Sequence, residues 1–348
     1  TGGGSERVMC NFANLFSQKG YEVDLVILSK DIRPIKLENK INIIKFLKKR
    51  STYCIPSLVR YFNFNKNSIV ISSQRHINLI VLLSSLLSKN STNIFVREST
   101  CYNILINDEP FFKKIIIKLL TPFLYKYSRN IICPAEDVKI DFLLAHPKLE
   151  YKIKKIYNPI DFNLIKAETD IESNNKINEL PDKFIVSVSR LSPEKNIKFL
   201  INAFNEVKTK NLKLIILGEG KERSNLEKQI KDLDLKDKII LMGHVKNPYQ
   251  IVSKALLSVT TSIVEGLPNS ILESIVLETP ILALRSISGV EELLKNNKCG
   301  YTIETDDFST FAYKIDEILM ENRKITMLDE FRKQYSFKNI GAQFEKIF

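Results

Sequence analysis

The chain has 348 residues, of which 44% are hydrophobic and 26% charged, a composition typical of soluble globular proteins that excludes disordered and fibrous classes. This length is too great for one typical core and indicates two domains. The net charge is +12, and the whole excess lies in residues 1–168, which carry 26 Lys and Arg against 14 Asp and Glu. The basic half predicts a polyanionic surface partner, nucleic acid or anionic lipid, with a solvated Lys-rich surface as the alternative.

The chain opens with TGGGSERVMCNFANLF, a glycine turn that leads into a helix with no strand before it, so we expect a first strand to be missing. The run INLIVLLSSLL at 77–87 is too short to span a bilayer and predicts a buried helix. The cysteines form no CxxC pair and each lies beside apolar residues, which predicts buried thiols and a reducing cytoplasm. They are Cys10, Cys54, Cys101, Cys133 and Cys299.

Short β-branched runs alternate with helical patterns in both halves, which is typical of parallel sheets with crossover helices. The predicted strands are 21–28, 68–73, 93–99 and 130–135 in the first half, and 183–189, 212–218, 238–243, 255–261 and 279–284 in the second. The polar segment 158–183 is flanked by prolines and is interpreted as a linker between domains. After residue 303 the pattern is helical, and the amphipathic C-terminus must pack on another element.

Candidate binding residues stand where predicted strands end, because ligands of open parallel sheets bind there, near helix N-termini that favour anions. Arg190 ends one strand and Lys195 precedes the next helix; a guanidinium fork and a flexible ammonium suit a diphosphate. Alternatively, Arg190 pairs with a carboxylate and Lys195 is a solvated helix residue. Gly218 and Gly220 end a second strand, where they would allow close backbone approach, although a plain tight turn explains them equally well.

The third such point is SIVEGLPNSILES. Residues 266–268 make a turn, and Asn269 and Ser270 stand where a helix begins, so free backbone N–H groups would border the crevice. Glu265 precedes this helix and Glu273 lies about one turn inside it. Two carboxylates opposite a cationic wall could accept hydrogen bonds from sugar hydroxyls, one on a transferred sugar and one on a ribose.

These motifs carry a family resemblance. GGGSERVMCNFANLFSQKGYEVDLVIL, YNPID, SVSRLSPEKNIKFLINAF, LKLIILGEG, MGHVKNPYQIVSKALLSVTTSIVEGLPNSILESIVLETPILA and GVEELLKNNKCGYTI occur in the order and spacing of family 4 of the retaining nucleotide-sugar glycosyltransferases. The chain resembles that family over nearly its whole length, most specifically in 183–303. The resemblance implies an α/β GT-B fold, two Rossmann-like domains facing across a cleft. The implied division is an acceptor domain at 1–165, a donor domain at 166–335 and a C-terminal helix at 336–348 that returns to the first domain.

The same resemblance implies a role for each matching residue. Arg190 and Lys195 would grip the donor diphosphate, and Glu265 would meet the donor sugar; these three are the expected catalytic residues. Glu273 would lie near the ribose. The other donor-binding positions that it implies are Gly3, Gly4, Gly218, Gly220, Gly266, Asn269, Ser270 and Ile271.

One departure from the family pattern concerns the acceptor side. Many relatives have a histidine near the end of the fourth strand of the first domain, where this chain has VRESTCYN. Glu98 is the residue expected to take that place, and no histidine base can be assigned there. The resemblance also implies retention of anomeric configuration by a same-face displacement without a clear protein nucleophile, so catalysis would rest on positioning and on stabilising the diphosphate leaving group. No metal cofactor is expected, because the Asp-x-Asp pair Asp232 and Asp234 belongs to a Lys-balanced helix end.

The expected function is transfer of a hexose-type sugar from a nucleotide-diphosphate sugar to a glycan or lipid-linked acceptor in bacterial surface polysaccharide synthesis. The alternatives are a nonenzymatic glycan-assembly protein of the same fold and an inverting transferase. A nucleic-acid partner is not expected, because the basic half has no recognised nucleic-acid motif. The protein is instead expected in the cytoplasm, peripheral on the inner face of the membrane.

Residues 109–130 supply the expected membrane contact. Their apolar residues and their lysines have the composition of an interfacial helix. We expect part of the apolar face to pack inward and a rim with Lys113, Lys114 and Lys118 to touch the leaflet; a core helix with solvated lysines is the alternative. The apolar face comprises Phe111, Phe112, Ile115, Ile116, Leu119, Leu120 and Phe123.

Overall fold

The computed structural model describes residues 3–28, 37–90, 93–107, 110–169, 180–286, 289–297, 299–322 and 325–348. The chain forms two compact units: unit 1 comprises residues 1–160 and 334–348, and unit 2 comprises residues 161–333. Both have parallel sheets and crossover helices, as the alternating pattern predicted.

Unit 1 contains two parallel sheets. One pairs β1 with β2, and the other has the order β3-β4-β5-β6. The strands are β1 (Asp24–Ile27), β2 (Asn42–Lys45), β3 (Ile69–Ser73), β4 (Asn93–Arg97), β5 (Asn130–Cys133) and β6 (Ile153–Lys155). The helices of its first segment are α1 (Gly4–Gln18), α2 (Ile55–Phe64), α3 (Arg75–Leu86), α4 (Tyr102–Asn107), α5 (Phe111–Tyr125) and α6 (Glu136–Ala145).

Unit 2 is built on one six-stranded parallel sheet of order β12-β11-β10-β7-β8-β9. The chain adds β8 and β9 on one side of β7 and then β10 to β12 on the other, so the order reverses between β7 and β10, the point where open sheets bind ligands. The strands are β7 (Phe184–Val188), β8 (Lys213–Leu217), β9 (Ile239–Gly243), β10 (Leu257–Thr260), β11 (Ile281–Leu284) and β12 (Gly300–Ile303). The helices are α7 (Phe162–Thr169), α8 (Ile197–Asn205), α9 (Arg223–Asp232), α10 (Tyr249–Lys254), α11 (Asn269–Val276), α12 (Val290–Asn297) and α13 (Phe308–Glu321). Helix α14 (Asp329–Tyr335) begins in unit 2, and its last two residues belong to unit 1.

The C-terminal helix α15 (Phe337–Glu345) belongs to unit 1. Phe344 packs edge-on against Phe12 of α1, with 5.2 Å between ring centroids, and Lys19 forms an ion pair with Glu345 at 2.8 Å. The expectation that a C-terminal helix returns to the first domain is thereby confirmed.

The segment 158–183, interpreted from sequence as a linker, contains a helix. α7 begins two residues after the division at 160 and contacts α10 and α11 of unit 2. Asn247 fixes it by donating to the Glu168 carbonyl oxygen at 2.7 Å. The division of the chain at 160/161 thus falls inside this segment, but residues 162–169 are a helix of unit 2 and not a linker. Residues 170–179 of the segment lie outside the described residues.

Two apolar helices of unit 1 are less buried than predicted. α3 covers most of the run at 77–87, but Leu86 and Leu87 are exposed. In α5 all seven apolar residues of the predicted face are between 40% and 80% exposed, so both the partial inward packing and the core-helix alternative are wrong for that face. α5 contacts α3 and α4, and the residues that it buries are Thr121, Leu124 and Tyr125.

Gly218 and Gly220 allow the loops after β7 and β8 to touch. A Cβ on Gly220 would lie 2.1 Å from the carbonyl oxygen of Leu191, and one on Gly218 would lie 1.8 Å from that of Ser189. The loops are also joined by backbone hydrogen bonds, Leu191 N–H to Glu219 oxygen and Glu222 N–H to Leu191 oxygen, both at 3.0 Å. Close backbone approach therefore explains these glycines better than a plain turn does.

Gly220→Ala is expected to destabilise the protein by about 1–3 kcal/mol, because a backbone carbonyl cannot move aside as a flexible side chain can. Gly3→Ala is the matched control, since its Cβ would meet only the mobile end of the Glu6 side chain. Urea unfolding followed by circular dichroism measures both. Equal midpoints for the two variants would contradict the packing argument.

Candidate functional site

Hydrogen bonds join the two loops that form the site, which follow the neighbouring strands β7 and β10. The hydroxyl of Thr261 lies 3.2 Å from the Lys195 carbonyl oxygen and 3.1 Å from that of Asn196, and donates to this pair of acceptors. The N–H of Ile263 donates to the Glu194 carbonyl oxygen at 2.9 Å. Residues 194–196 and 261–263 therefore form one rigid corner at the point where the strand order reverses.

This corner brings Lys195 and Glu265 into contact although they are 70 residues apart in sequence. The ammonium of Lys195 donates to a carboxylate oxygen of Glu265, and their side chains are only 12% and 17% exposed. The alternative in which Lys195 is a solvated helix residue is therefore wrong. A partly desolvated ion pair interacts more strongly than one in water, so each charge holds the other in place at the strand ends.

Arg190 is held by an unexpected residue, Glu194. The guanidinium lies 3.1 Å from the Glu194 carboxylate, as the alternative of a carboxylate partner anticipated, and its side chain is 69% exposed. Ser192 donates to the same carboxylate at 2.6 Å. Burial alone would raise the pKa of Glu194, but hydrogen bonds from Ser192 and from its own backbone N–H, together with the charges of Arg190 and Lys195, lower that pKa below its usual value. Glu194 is thus an anion that orients Arg190.

Helix α11 places the second glutamate. Pro268 caps the helix, and Asn269, Ser270 and Ile271 form the first turn, whose N–H groups precede the intrahelical ladder. Glu273 is buried. Ser274 fixes the helix to β10 by donating to the Ser258 hydroxyl at 2.9 Å. Gly266 also contributes to the turn, because its carbonyl oxygen accepts from Gly289 N–H at 2.9 Å.

The predicted site residues divide between the two units. Arg190, Lys195, Gly218, Gly220, Glu265, Gly266, Asn269, Ser270, Ile271 and Glu273 all belong to unit 2. Within that unit Lys195 contacts Glu265. The loop that carries Gly218 and Gly220 packs against the loop that carries Arg190. Gly3 and Gly4 belong to unit 1, where Gly3 is the residue before α1 and Gly4 is its first residue.

Glu98, the expected acceptor-side residue, is a buried member of a polar network in unit 1. Its carboxylate pairs with Arg75 at 3.0 Å and is 2% exposed, and it accepts from the hydroxyl of Tyr125. Asn78 donates to the Tyr125 oxygen at 3.0 Å. Burial, followed by the charge of Glu98, raises the pKa of Tyr125 well above its usual value, which keeps the phenol protonated as a donor. The network orders the interior and does not present Glu98 at the surface.

Sequence reasoning missed Glu194 and Thr261, although both stand beside predicted residues. Glu194 precedes Lys195 directly, and Thr261 ends a predicted strand, so a search for hydrogen-bonding side chains at strand ends would have found them. Among the described residues there is no cluster of three or more His, Cys, Asp or Glu side chains that could hold a metal ion. In the same part of the chain, no helix is long and apolar enough to cross a bilayer. The five cysteines are buried free thiols, as predicted.

Comparison with known proteins agrees with this architecture. Residues 169–336 match the family described as Glycosyl transferases group 1. The chain is 29% identical, over 97% of its length and 90% of the relative's, to a Campylobacter jejuni N-acetylgalactosamine-N,N'-diacetylbacillosaminyl-diphospho-undecaprenol 4-alpha-N-acetylgalactosaminyltransferase. It is 22% identical to the amylovoran biosynthesis glycosyltransferase AmsD of Erwinia amylovora, with 91% and 86% of the two chains covered.

A solved structure shows the same fold. The crystal structure of HepE from Anabaena in complex with UDP-glucose superposes with a TM-score of 0.79 at 15% identity, and covers 99% of this chain and 95% of that one. The expected likeness to glycosyltransferases is confirmed at this level: residues 169–336 match the Glycosyl transferases group 1 family, and the chain has the GT-B fold of glycosyltransferases.

Proposed function

We propose that the protein is a retaining glycosyltransferase of family 4. It would move a hexose-type sugar from a nucleotide-diphosphate sugar to a glycan or lipid-linked acceptor in the synthesis of a bacterial capsule, exopolysaccharide, O-antigen or glycolipid. The observation that carries this proposal is the Lys195–Glu265 pair at the β7/β10 reversal, with Arg190 beside it. Two cations after β7 and a carboxylate after the neighbouring β10 match the two halves of a sugar diphosphate.

The cations would supply the main electrostatic contribution. Negative charge grows on the diphosphate as the bond to the sugar breaks, and preorganised donors that meet this charge lower the barrier. Lys195 is already fixed by Glu265, and Arg190 by Glu194, so little reorganisation would accompany the reaction. In this proposal the leaving group needs no metal ion, because the protein's own cations neutralise it.

The two glutamates would hold opposite ends of the donor. Glu265 is partly exposed and contacts the cation, so its carboxylate is placed where it could also accept from a sugar hydroxyl. Glu273 is buried one turn into α11, where it could accept from a ribose hydroxyl. Gly3 and Gly4 of unit 1 would approach the donor through their backbone, as the family resemblance implies.

The relatives support the acceptor class. The Campylobacter relative is named for a diphospho-undecaprenol-linked glycan, and the Erwinia relative for a polysaccharide. A nonenzymatic assembly protein would not need Arg190, Lys195, Glu265 and Glu273 together, so the intact set favours an enzyme. An inverting transferase is the second candidate, and the anomeric configuration of the product distinguishes it.

Arg190→Ala and Lys195→Ala are each expected to lower kcat/KM by an amount equivalent to about 3 kcal/mol, because each removes charge stabilisation that grows in the transition state. Lys198→Ala is the matched control: it removes a cation from the same segment, but one that pairs with Glu222. Transfer from a panel of UDP-, GDP- and ADP-sugars measures activity, and thermal melting verifies the fold. Near-normal kinetics in both site variants would refute the assignment.

Glu265→Gln and Glu273→Ala are expected to differ in their effects. Glu265→Gln should abolish turnover while nucleoside diphosphate binding persists, because only the sugar end loses its carboxylate. Glu273→Ala should weaken the nucleoside diphosphate itself. Isothermal titration with the nucleoside diphosphate of the active donor separates the two, and equal loss of affinity in both variants would contradict the division of roles.

We also propose that unit 1 attaches to an anionic membrane surface through α5. Phe111 and Phe112 are 72% and 80% exposed, and Lys113, Lys114 and Lys118 belong to the same helix. Exposed apolar area on this scale marks an interaction surface, and lysines beside it suit anionic headgroups. This attachment would bring a lipid-linked acceptor to the basic half of the chain.

The charge reversal of Lys113, Lys114 and Lys118 to Glu is expected to abolish sedimentation with anionic vesicles at low salt, since each cation near such a surface contributes about 1 kcal/mol at most. Phe111→Ser with Phe112→Ser should weaken the same binding by removing the inserted rings. Lys228→Glu with Lys231→Glu on α9 is the control and should bind like the wild type. Equal binding of the wild type to neutral and anionic vesicles, or to neither, would remove the membrane proposal.

A further inference from the structure

A polar depression lies at the amino edge of the four-stranded sheet of unit 1, beyond the end of α5. Its volume is about 530 Å³, and it is wide open to solvent. Its lining is polar apart from one ring and one aliphatic residue: Asn93, Tyr127, Ser128, Arg129, Asn130, Lys152 and Ile347. None of these residues belongs to the donor site, which lies in unit 2.

Two cations face this depression without a carboxylate partner. Within the described ranges of the chain, no Asp or Glu forms an ion pair with Arg129 or Lys152. Lys152 instead donates to the Ser128 carbonyl oxygen. Burial, and then the positive charge of Arg129, lower the pKa of Lys152, as expected for neighbouring like charges. An anion bound between the two cations would relieve this repulsion.

The backbone that carries the two cations is fixed by hydrogen bonds. Arg129 N–H donates to the Ile94 carbonyl oxygen at 2.7 Å, and the Asn130 side chain donates to the Lys152 carbonyl oxygen at 3.2 Å. The start of β5 is thus fixed to the residue before β6. Asn93 and Asn130 border the same depression and can donate amide N–H groups to an anion's oxygens.

The depression is continuous with the exposed apolar face of α5. The ring of Phe123, the last apolar residue of that face, packs against Tyr127 with 6.0 Å between centroids. The ammonium of Lys126 lies over both rings, at 4.5 and 4.9 Å from their centroids. Tyr127 and Tyr151 are exposed, and tyrosines of this kind are typical of the membrane–water interface.

We propose that this depression is a phosphate-ester site whose occupant is the headgroup phosphate of an anionic phospholipid. A guanidinium provides paired donors and an ammonium a point charge, the combination that phosphate oxygens favour. The phosphate would lie between Arg129 and Lys152, while the acyl chains extend along α5. The identity of the occupant rests on the proposed membrane attachment; the site itself rests only on the depression and its cations.

The test measures sn-glycerol 1-phosphate binding by NMR titration and vesicle binding by sedimentation, with phosphatidylcholine vesicles containing about one third phosphatidylglycerol. Arg129→Gln is expected to weaken both about fivefold, and Arg129→Gln with Lys152→Gln at least tenfold. The single variant is the safer measure, because Arg129 is exposed while Lys152 also holds the Ser128 carbonyl. Lys228→Gln on α9 is the matched control and should change neither measurement.

Phe111→Ser with Phe112→Ser separates the two parts of the proposal, because it should lower vesicle binding and leave glycerol phosphate binding unchanged. Unaltered binding of both ligands by the Arg129 and Lys152 variants would overturn the site. Lost glycerol phosphate binding with unaltered vesicle binding would overturn the lipid assignment and leave a soluble phosphate ester as the occupant. A chain that shows the expected binding but transfers no sugar would keep this site and lose the proposed enzyme.

Discussion

The ion pair between Lys195 and Glu265 can exist only because β7 and β10 are neighbours. Both side chains are largely removed from water, and removing either charge from water alone would be costly. Thr261 therefore matters, since its hydroxyl holds the backbone that carries Lys195. Gly220 extends the same constraint to the next loop by admitting the Leu191 carbonyl. In the proposed reaction, the diphosphate would meet Lys195 in the position where Glu265 already holds it.

Unit 1 uses polar residues at its strand ends differently. Glu98 meets Arg75 and Tyr125 in the interior, and the loss of any of these buried polar contacts would be costly, which favours one packing over others. Arg97 is fully enclosed as well, and burial lowers its pKa to about 10 while Asn158 accepts from it at 2.6 Å. These buried residues hold the carboxyl end of β4 in place. Acceptor recognition would therefore have to come from side chains that reach the surface.

Much of this architecture could be predicted from the sequence, because nine strands are β-branched runs that lie inside the predicted ranges. The strands that escaped prediction are β2, β6 and β12, in each of which at most one residue is buried. Site residues at strand ends followed from the parallel topology. The pairing of Lys195 with Glu265 did not, since it depends on the strand order across 70 residues. Periodicity also cannot show whether an apolar helix face is covered, which is why α5 was misjudged.

Because the apolar face of α5 is exposed, apolar burial as well as charge could contribute to membrane binding by the basic half. Lysines around a covered helix would give attachment by charge alone, which salt screens. With seven large apolar residues exposed, burial of their surface in a bilayer adds about 25 cal/mol for each Å² removed from water. Charge would then select anionic membranes and orient unit 1, while Phe111 and Phe112 at the start of α5 and Tyr127 beyond its end would set the depth of insertion. In the proposed attachment, the excess of 26 basic over 14 acidic residues in 1–168 would act mainly in selectivity and approach.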